Sequence, residues 1–334
     1  MDINKICVIH LNQIGDLAFS LPLLKNLREN FPDAHIDSVI KPYLTELLQS
    51  TRLTNGILPR TGGIRAALNL LQQIRAARYD LILCLSRSQA CLMLTSLSRA
   101  PLKAGFPPMP WGFGFNITET IDRHNSWSNN RKLLQRLNIP ITRDNYVGLI
   151  PPGRPPATLD LPQRYVVISP GASARRQLKT WSENKFAQLL NRLYRTYGLV
   201  PVLVGGRDTC DTNSTITNLT RSLQADNDMR IIDLSGKIGL PDLCGVLVQA
   251  QLFIGIDSGV MHLASVMDIP VVGLFGPTDP ALVGPQNRRS VVVQQTDMPC
   301  VPCYLKGCEH RNCMHSIEAD AVFAACAELI GPHA

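Results

Sequence analysis

Hydrophobic and polar positions follow one another along the chain in blocks that predict strands and helices in alternation. Short runs rich in Val, Ile and Leu have the length and β-branched content of buried strands. The polar turns after them lead into stretches with apolar residues at helical spacing. The first such unit is a strand at residues 5–11, a turn at 12–16 and a helix to about residue 30. Repetition of this order predicts parallel sheets covered on both faces by helices, which is an α/β fold.

The same reading extends over both halves of the chain. Strands are predicted at residues 34–40, 80–85, 102–106, 165–169, 200–204, 230–234, 253–256, 271–275 and 291–295, and helices at 43–49, 64–78, 130–137, 182–197, 213–223 and 241–249. In the first helix, Pro22 is expected only in or near the first turn. The helix at 64–78 places Ile64, Leu68 and Ile74 on one apolar face, which favours packing on a core over lying on an anionic membrane.

Prolines interrupt this pattern near the middle of the chain. Five prolines fall between residues 150 and 162, where no hydrophobic periodicity remains. Such a composition is typical of a linker. We therefore predict an N-terminal domain at 1–150, a linker at 151–162 and a second domain at 163–315. Two doubly wound domains joined in this way are expected to enclose a central cleft, the default place for a ligand.

The turn Asp257-Ser258-Gly259 is the strongest candidate binding feature of the second half. It follows a fully apolar strand and precedes a helix that begins near Val260. Asp257 and Ser258 are favourable helix caps, and Gly259 lets a ligand approach the backbone. The free N–H groups and positive dipole end of the helix favour an anion such as phosphate. The alternative is that the turn is no more than a well-capped connection.

Asp16 holds the corresponding place in the first half, in the turn after the first strand. A carboxylate there lies at the carboxyl edge of the predicted sheet, where open α/β sheets bind their ligands. A helix-capping role remains the alternative from the residues alone.

The formal net charge of +7 lies entirely in the first half. Residues 1–150 contain 17 Lys and Arg against 10 Asp and Glu, whereas the second half is balanced. A basic half favours an anionic partner, which is a nucleic acid, an acidic membrane surface or a phosphorylated substrate. A solvated basic surface is the simpler alternative. The chain contains no apolar run of spanning length and no signal-peptide pattern at its start, so a cytoplasmic location is expected.

Neither common phosphate-binding motif is present. There is no GxGxxG after the first strand and no GxxxxGK[ST], so phosphate must be held by other means. Lys179 leads into a helix after a loop that also contains Arg175 and Arg176. One of these cations and the helix N-terminus beyond Asp257 would form a two-sided clamp for a diphosphate. An exposed surface lysine is the alternative for Lys179.

Four cysteines are closely spaced after the last predicted strand, in the order Cys300-x2-Cys303-x4-Cys308-x4-Cys313. In a reducing compartment this spacing favours a structural tetrahedral zinc or iron site over disulfides. The spacing departs from that of the usual zinc ribbons, so disulfides and unliganded thiols remain open alternatives.

Taken in order, four short motifs resemble glycosyltransferase family nine, the family of ADP-heptose:lipopolysaccharide heptosyltransferases. They are Ile14-Gly15-Asp16, Pro170-Gly171-Ala172 with Lys179-x-Trp181, Asp257-Ser258-Gly259-x-x-His262, and Gly276-Pro277-Thr278-Asp279-Pro280. Each motif is weak alone, but together they extend over nearly the whole chain. The loop before Lys179 is more basic than the family pattern, and Ser258 stands where a threonine is common. Cysteine-rich loops occur in part of the family, including an iron-binding form.

The resemblance implies a GT-B fold, with two Rossmann-like domains facing a central cleft. The acceptor would bind mainly to the N-terminal domain and the nucleotide sugar to the second, with a helix in 316–334 at the domain junction. Asp16 would be the general base of an inverting transfer, since one carboxylate suits a single displacement. The implied nucleotide-sugar contacts are Lys179 to the diphosphate, Asp257, Ser258, Gly259 and His262 around ADP, and Asp208 to the ribose.

The resemblance also implies the partners. These are ADP-heptose as donor, the lipid A–Kdo inner core of lipopolysaccharide as acceptor, and peripheral contact with the anionic inner membrane from the cytoplasm. Neither a nucleic acid nor a catalytic cofactor is implied. The alternatives are a nucleotide-sugar epimerase of the same fold, heptosyl transfer to a protein serine, and a non-catalytic binding module.

Overall fold

The chain forms two compact units in a computed structural model that describes residues 3–122, 127–171, 178–223, 229–303 and 308–331. The first unit comprises residues 1–151 and the second comprises residues 152–334. Each unit is built around its own sheet of six parallel strands.

The sheet of the first unit has the strand order β3-β2-β1-β4-β5-β6. All of its strand pairs are parallel. This is the doubly wound Rossmann order, in which the direction of winding reverses between β1 and β4. The strands are β1 Lys5–Ile9, β2 His35–Ile40, β3 Gly56–Pro59, β4 Leu81–Cys84, β5 Leu102–Gly105 and β6 Ile117–Thr118.

Five α-helices accompany this sheet in the described part of the first unit. They are α1 Ile14–Asn30, α2 Thr45–Ser50, α3 Ile64–Ala77, α4 Gln89–Leu97 and α5 Trp127–Arg136. Helices α3 and α4 together cover one face of the sheet, where Leu71 and Leu92 share a core with Ile82. Ile64 and Leu68 are exposed on α3, so only part of its predicted core face is correct.

The second unit repeats the same topology, with the order β12-β11-β10-β7-β8-β9 and parallel pairing throughout. Its winding reverses between β7 and β10. The strands are β7 Tyr165–Ser169, β8 Val200–Leu203, β9 Ile232–Asp233, β10 Leu252–Ile256, β11 Val271–Phe275 and β12 Ser290–Gln294.

The last helix of the second unit packs on that unit's own sheet. Its buried side chains Val322 and Cys326 join the core that contains Ile254 and Leu274. The helices of this unit are α6 Glu183–Tyr197, α7 Cys210–Ser222, α8 Leu240–Val248, α9 Gly259–Val266, α10 Pro280–Val283, α11 Asn312–His315 and α12 Ala319–Ile330. The predicted fold class, α/β with two doubly wound Rossmann-like units, is therefore confirmed.

Local pattern reading failed at five elements and one proline. Strands β3 and β6 and helices α4, α10 and α11 are missing from the prediction, because they are short and lack a clear period. Pro22 is the ninth residue of α1, so its expected place in or near the first turn is wrong. A proline there removes one helical hydrogen bond, and the helix continues because its surroundings are packed; Pro22 itself is buried.

Asn26, fully buried on α1, ties that helix to the segment at residues 140–145. Its Nδ2 donates to the Arg143 carbonyl oxygen at 2.7 Å. Its Oδ1 accepts from the backbone N–H groups of Thr142 at 2.7 Å and Arg143 at 3.0 Å. One side chain therefore satisfies three backbone groups of a segment that lacks regular structure.

We expect Asn26→Ala to lower the free energy of unfolding by about 2–4 kcal/mol, because it removes from a fully buried position the three hydrogen bonds that hold this segment. Urea denaturation measures this loss. Asn30→Ala is the matched control: Asn30 donates to the Pro140 carbonyl at 3.0 Å from a half-buried position, and the expected loss is below about 1 kcal/mol. Equal losses would contradict the role assigned to Asn26.

Candidate active site

Asp16 and Asp257 lie where the winding of each sheet reverses. At that point the loops after two adjacent strands diverge to opposite faces and leave a crevice at the carboxyl edge. In the first unit, Asp16 follows β1 as the third residue of α1. In the second, Asp257 follows β10 directly, and Lys179 belongs to the segment after β7.

Asp16 lies half-buried in the first turn of α1. The N-cap of this helix is Gln13, whose side chain forms no capping hydrogen bond. The hydroxyl of Tyr43 donates to the Asn12 carbonyl oxygen in the same turn. Burial raises the pKa of Tyr43, and the negative charge of Asp16 raises it further. Asp16 therefore interacts electrostatically with the Tyr43 hydroxyl at this edge of the sheet.

Arg60 is a residue that the sequence analysis missed at the same edge. It follows β3, is 8% exposed, and donates through Nη2 to the Asn12 side-chain oxygen and, at 3.4 Å, to the His10 carbonyl oxygen. Its Nε is buried without a hydrogen-bond partner among the described residues. A buried guanidinium beside the turn that leads to Asp16 makes this edge electropositive.

His10 supports this turn as a neutral side chain. Its ring nitrogens lie 2.9 Å from the Ser20 hydroxyl and 3.1 Å from the Ser38 hydroxyl. Burial, with a smaller contribution from the charge of Arg60, lowers the pKa of His10 to about 3. The imidazole is therefore uncharged at neutral pH and acts as a hydrogen-bonded part of the core.

A buried ion pair occupies the second edge. Lys179 Nζ pairs with Asp257 Oδ2, and the Thr278 hydroxyl donates to the same oxygen at 2.8 Å. Burial acts to raise the pKa of Asp257. The Lys179 ammonium, the charge of His262 and the two hydrogen bonds outweigh it and hold this pKa below its ordinary value. The carboxylate is therefore ionised and engaged at neutral pH.

Helix α9 begins directly after Asp257, and no side chain caps its N-terminus. Ser258 is its N-cap, yet the Ser258 side chain makes no capping bond, and its buried hydroxyl has no partner among the described residues. Gly259 is the first helical residue, and the first turn contains no acidic side chain. His262 lies buried one turn further on. Free N–H groups, a helix dipole and an unpartnered hydroxyl together favour a bound anion.

The turn after β11 supports the Lys179–Asp257 ion pair. Gln294 Nε2 donates to the carbonyl oxygens of Gly276 at 3.1 Å and Thr278 at 2.9 Å. A Cβ on Gly276 would lie 2.5 Å from the Met314 sulfur, so a larger residue would not fit without movement. Thr278 is thus held in place to donate to Asp257. Its position in the Gly276-Pro277-Thr278-Asp279-Pro280 motif did not indicate this role.

Asp208 lies at the same sheet edge but apart from the ion pair. It belongs to a 3-10 turn, Arg207–Thr209, after β8, and its side chain is exposed. Among the described residues, no hydrogen bond or ion pair joins Asp208 to Asp257. The predicted cations Arg175 and Arg176 fall outside the described residues.

The four clustered cysteines line one cavity of about 400 Å³. The backbone N–H of Cys303 donates to the Pro277 carbonyl oxygen at 3.0 Å, which joins this loop to the turn after β11. Burial raises the pKa of the Cys313 thiol, and the other three thiols raise it further. All four cysteines are free. Within the described ranges, no group of three or more His, Cys, Asp or Glu residues has the geometry to hold a metal ion.

Across the part of the chain that the structure describes, no helix combines the length and the apolar character that crossing a bilayer requires.

We expect Lys179→Met to lower the free energy of unfolding by about 3 kcal/mol, because Asp257 would remain buried without its counter-charge. The double variant Lys179→Met/Asp257→Asn removes both charges, so much of that loss should be recovered. Urea denaturation of the wild type, both single variants and the double variant gives the coupling energy. Additive losses would contradict the buried pair.

Comparison with known proteins agrees with this arrangement. A family model described as glycosyltransferase family 9 (heptosyltransferase) matches residues 67–314. Lipopolysaccharide heptosyltransferase 3 of Escherichia coli is 27% identical over 338 residues, which covers 95% of this chain and 96% of that protein.

Solved structures share the fold. E. coli ADP-heptose lps heptosyltransferase II superposes with a TM-score of 0.78 at 19% identity and covers 98% of each chain. The dodecameric iron-containing heptosyltransferase TibC of enterotoxigenic E. coli H10407, solved with ADP-D-beta-D-heptose, gives a TM-score of 0.62 at 13% identity and covers 98% of this chain and 76% of that one. Since the family model extends over most of the chain, the protein belongs to glycosyltransferase family 9, the heptosyltransferases.

Proposed function

We propose that this enzyme transfers a heptose from ADP-heptose to the inner core of lipopolysaccharide, with inversion at the anomeric carbon. The observation that supports this proposal most is the N-terminus of α9, which begins next to the Lys179–Asp257 pair and has no side-chain cap. Relatives named as lipopolysaccharide heptosyltransferases support the choice of donor and acceptor.

The donor diphosphate would bind at the start of α9. The backbone N–H groups at Ser258 and Gly259 and the Ser258 hydroxyl would donate to phosphate oxygens. Asp257 fixes the position of the Lys179 ammonium and compensates part of its charge. That ammonium would stabilise the diphosphate from the second side. His262 would line the ADP pocket, and Asp208 would accept hydrogen bonds from the ribose hydroxyls.

Asp16 would act as the general base. Its carboxylate takes the proton of an acceptor hydroxyl while that oxygen forms a bond to the anomeric carbon of the heptose. The bond from the anomeric carbon to ADP breaks at the same time, and its electron pair leaves with the diphosphate. The growing negative charge on ADP falls at the N-terminus of α9, where a preorganised dipole lowers the barrier. A single displacement of this kind inverts the anomeric centre.

The basic first unit supports an anionic acceptor. Seven more basic than acidic residues fall in residues 1–150, and buried Arg60 stands next to the Asp16 turn. The lipid A–Kdo inner core, with its phosphates and carboxylates, matches this charge. We place the enzyme in the cytoplasm, in peripheral contact with the inner membrane where such an acceptor is anchored.

The cysteine cavity is proposed as a structural site for zinc or iron, separate from the chemistry. Four soft thiol donors suit either metal, and an iron-containing relative supports the choice. Among the described residues the four thiols are not arranged as a metal site, so metal binding would require them to move closer together. Catalysis by Asp16 and α9 requires no cofactor.

Elemental analysis of protein purified without added metal should give about one zinc or iron per chain. A metal content near zero would contradict the proposed metal site.

We expect Asp16→Asn to lower the transfer rate by roughly 100- to 10,000-fold, because the amide cannot accept the proton. Affinity for ADP should not change, since α9 lies in the other unit. Mass spectrometry of product formed from ADP-heptose and an inner-core acceptor measures the rate, and calorimetry measures ADP binding. Asp33→Asn, an exposed acid of the same unit, is the matched control and should retain full activity.

An unchanged rate in Asp16→Asn would remove this residue as the base. Incubation of donor without acceptor tests the rival reaction, because an epimerase would isomerise the sugar. A protein acceptor modified in preference to the inner core would replace the proposed acceptor.

A further inference from the structure

Three neighbouring elements of the first unit each expose two large apolar side chains spaced four residues apart. On α3 and α4 this spacing places both side chains on one side of the helix. The pairs are Ile64 (81% exposed) and Leu68 (54%) on α3, Met93 (47%) and Leu97 (46%) on α4, and Met109 (89%), just before the 3-10 turn Trp111–Gly114, with Phe113 (82%) in it. We refer to these six residues as the apolar face.

The three elements that carry the apolar face are neighbours in the first unit. Helices α3 and α4 lie side by side on the same face of the sheet, where Leu71 and Leu92 share a core. Arg75 Nε on α3 donates to the Leu97 carbonyl oxygen on α4 at 2.8 Å. The 3-10 turn packs on α4 so closely that a Cβ on Gly114 would lie 2.1 Å from the Ser96 hydroxyl.

Packing within the unit does not explain these six side chains. The inner sides of α3 and α4 already bury Leu70, Ile74 and Leu94 in the core. Nine large hydrophobic side chains are exposed among the described residues, and six of them are those of the apolar face. Single exposed apolar residues are ordinary on protein surfaces, but a concentration of this kind indicates an interaction surface.

The charge of the same segment is almost entirely positive. Residues 60–118 contain seven basic residues, Arg60, Arg65, Arg75, Arg78, Arg87, Arg99 and Lys103, against a single acidic one, Asp80. Asp80 precedes β4 and accepts hydrogen bonds from the backbone N–H groups of Asn4 and Lys5, so it lies at the amino end of the strands. Neither α3 nor α4 contains an acidic residue. Four of the arginines, at 65, 78, 87 and 99, are exposed.

We propose that the apolar face docks on the surface of an anionic lipid bilayer. The six apolar side chains would enter the headgroup region, and the arginines of the same segment would contact lipid phosphates. Apolar side chains accompanied by cations, with no acidic group on either helix, match this partner. The inference rests on the proposed function in one respect, namely that a lipid-anchored acceptor is presented at such a surface.

Sedimentation of the full chain with vesicles tests the proposal without any measurement of activity. We expect binding to vesicles that contain phosphatidylglycerol and much weaker binding to pure phosphatidylcholine. The double variants Ile64→Ser/Leu68→Ser and Met109→Ser/Phe113→Ser should each lower the partition coefficient at least roughly tenfold. Because these side chains point outward, circular dichroism and melting temperature should not change. Leu223→Ser, an exposed leucine of the second unit at 48%, is the matched control and should bind as the wild type does.

A charge variant completes the test. Arg65→Gln/Arg99→Gln should weaken binding to anionic vesicles and leave the weak binding to phosphatidylcholine unchanged. The reason is that these arginines contribute through attraction to anionic lipid headgroups. The proposal is overturned if the wild type does not bind vesicles, or if Leu223→Ser loses as much binding as the double variants. Concentration-dependent dimers that both double variants abolish, with no vesicle binding, would assign the face to a second copy instead.

Transfer to a soluble, delipidated acceptor separates this inference from the proposed function. The double variants of the apolar face should retain that activity. If the wild type transfers no heptose yet binds vesicles through the apolar face, the proposed reaction fails and the docking surface stands.

Discussion

The second unit depends on a buried ion pair between two residues 78 positions apart in the sequence. Lys179 belongs to the segment after β7 and Asp257 follows β10, so the pair spans the point where the winding of the sheet reverses. Thr278, from the turn after β11, binds the same carboxylate oxygen. Two charges withdrawn from water are stabilising only when their geometry and hydrogen bonds are good. Here one carboxylate holds together the segments that follow three strands.

This arrangement determines what the start of α9 can bind. A free carboxylate beside the helix would repel a phosphate, but the Lys179 ammonium compensates the charge of Asp257. The N–H groups of α9 and the Ser258 hydroxyl, which has no partner among the described residues, therefore face an environment that favours an anion. The proposed affinity for a diphosphate would follow from the ion pair and the helix together, without a glycine-rich phosphate loop.

The two units share a topology and differ in chemistry. The edge of the first sheet combines Asp16 with a buried cation, Arg60, and a neutral histidine, His10. The edge of the second offers a helix N-terminus and an engaged carboxylate. The proposed general base and the proposed anion site, on separate units, suit a transferase with two substrates. The uneven distribution of charge between the halves of the sequence already indicated different partners for the two units.

Much of the fold was predictable because its signals are local. Apolar runs followed by polar turns gave most strands and helices within a few residues, although the short α4 and β3 escaped. Contacts distant in sequence were not predictable. Asp257 and Ser258 were interpreted as helix caps, yet Asp257 pairs with Lys179 and the Ser258 side chain does not cap. Nothing in the sequence identified Arg60 as a buried residue of the site, since an arginine after a strand is ordinarily exposed.

Calorimetric comparison of ADP and adenosine tests the central claim, that the start of α9 binds a diphosphate. Two or more charge-assisted hydrogen bonds to the phosphates predict that ADP binds at least roughly 100-fold more tightly than adenosine. Ser258→Ala should narrow this difference without changing the affinity for adenosine. Equal affinities for ADP and adenosine would contradict the account.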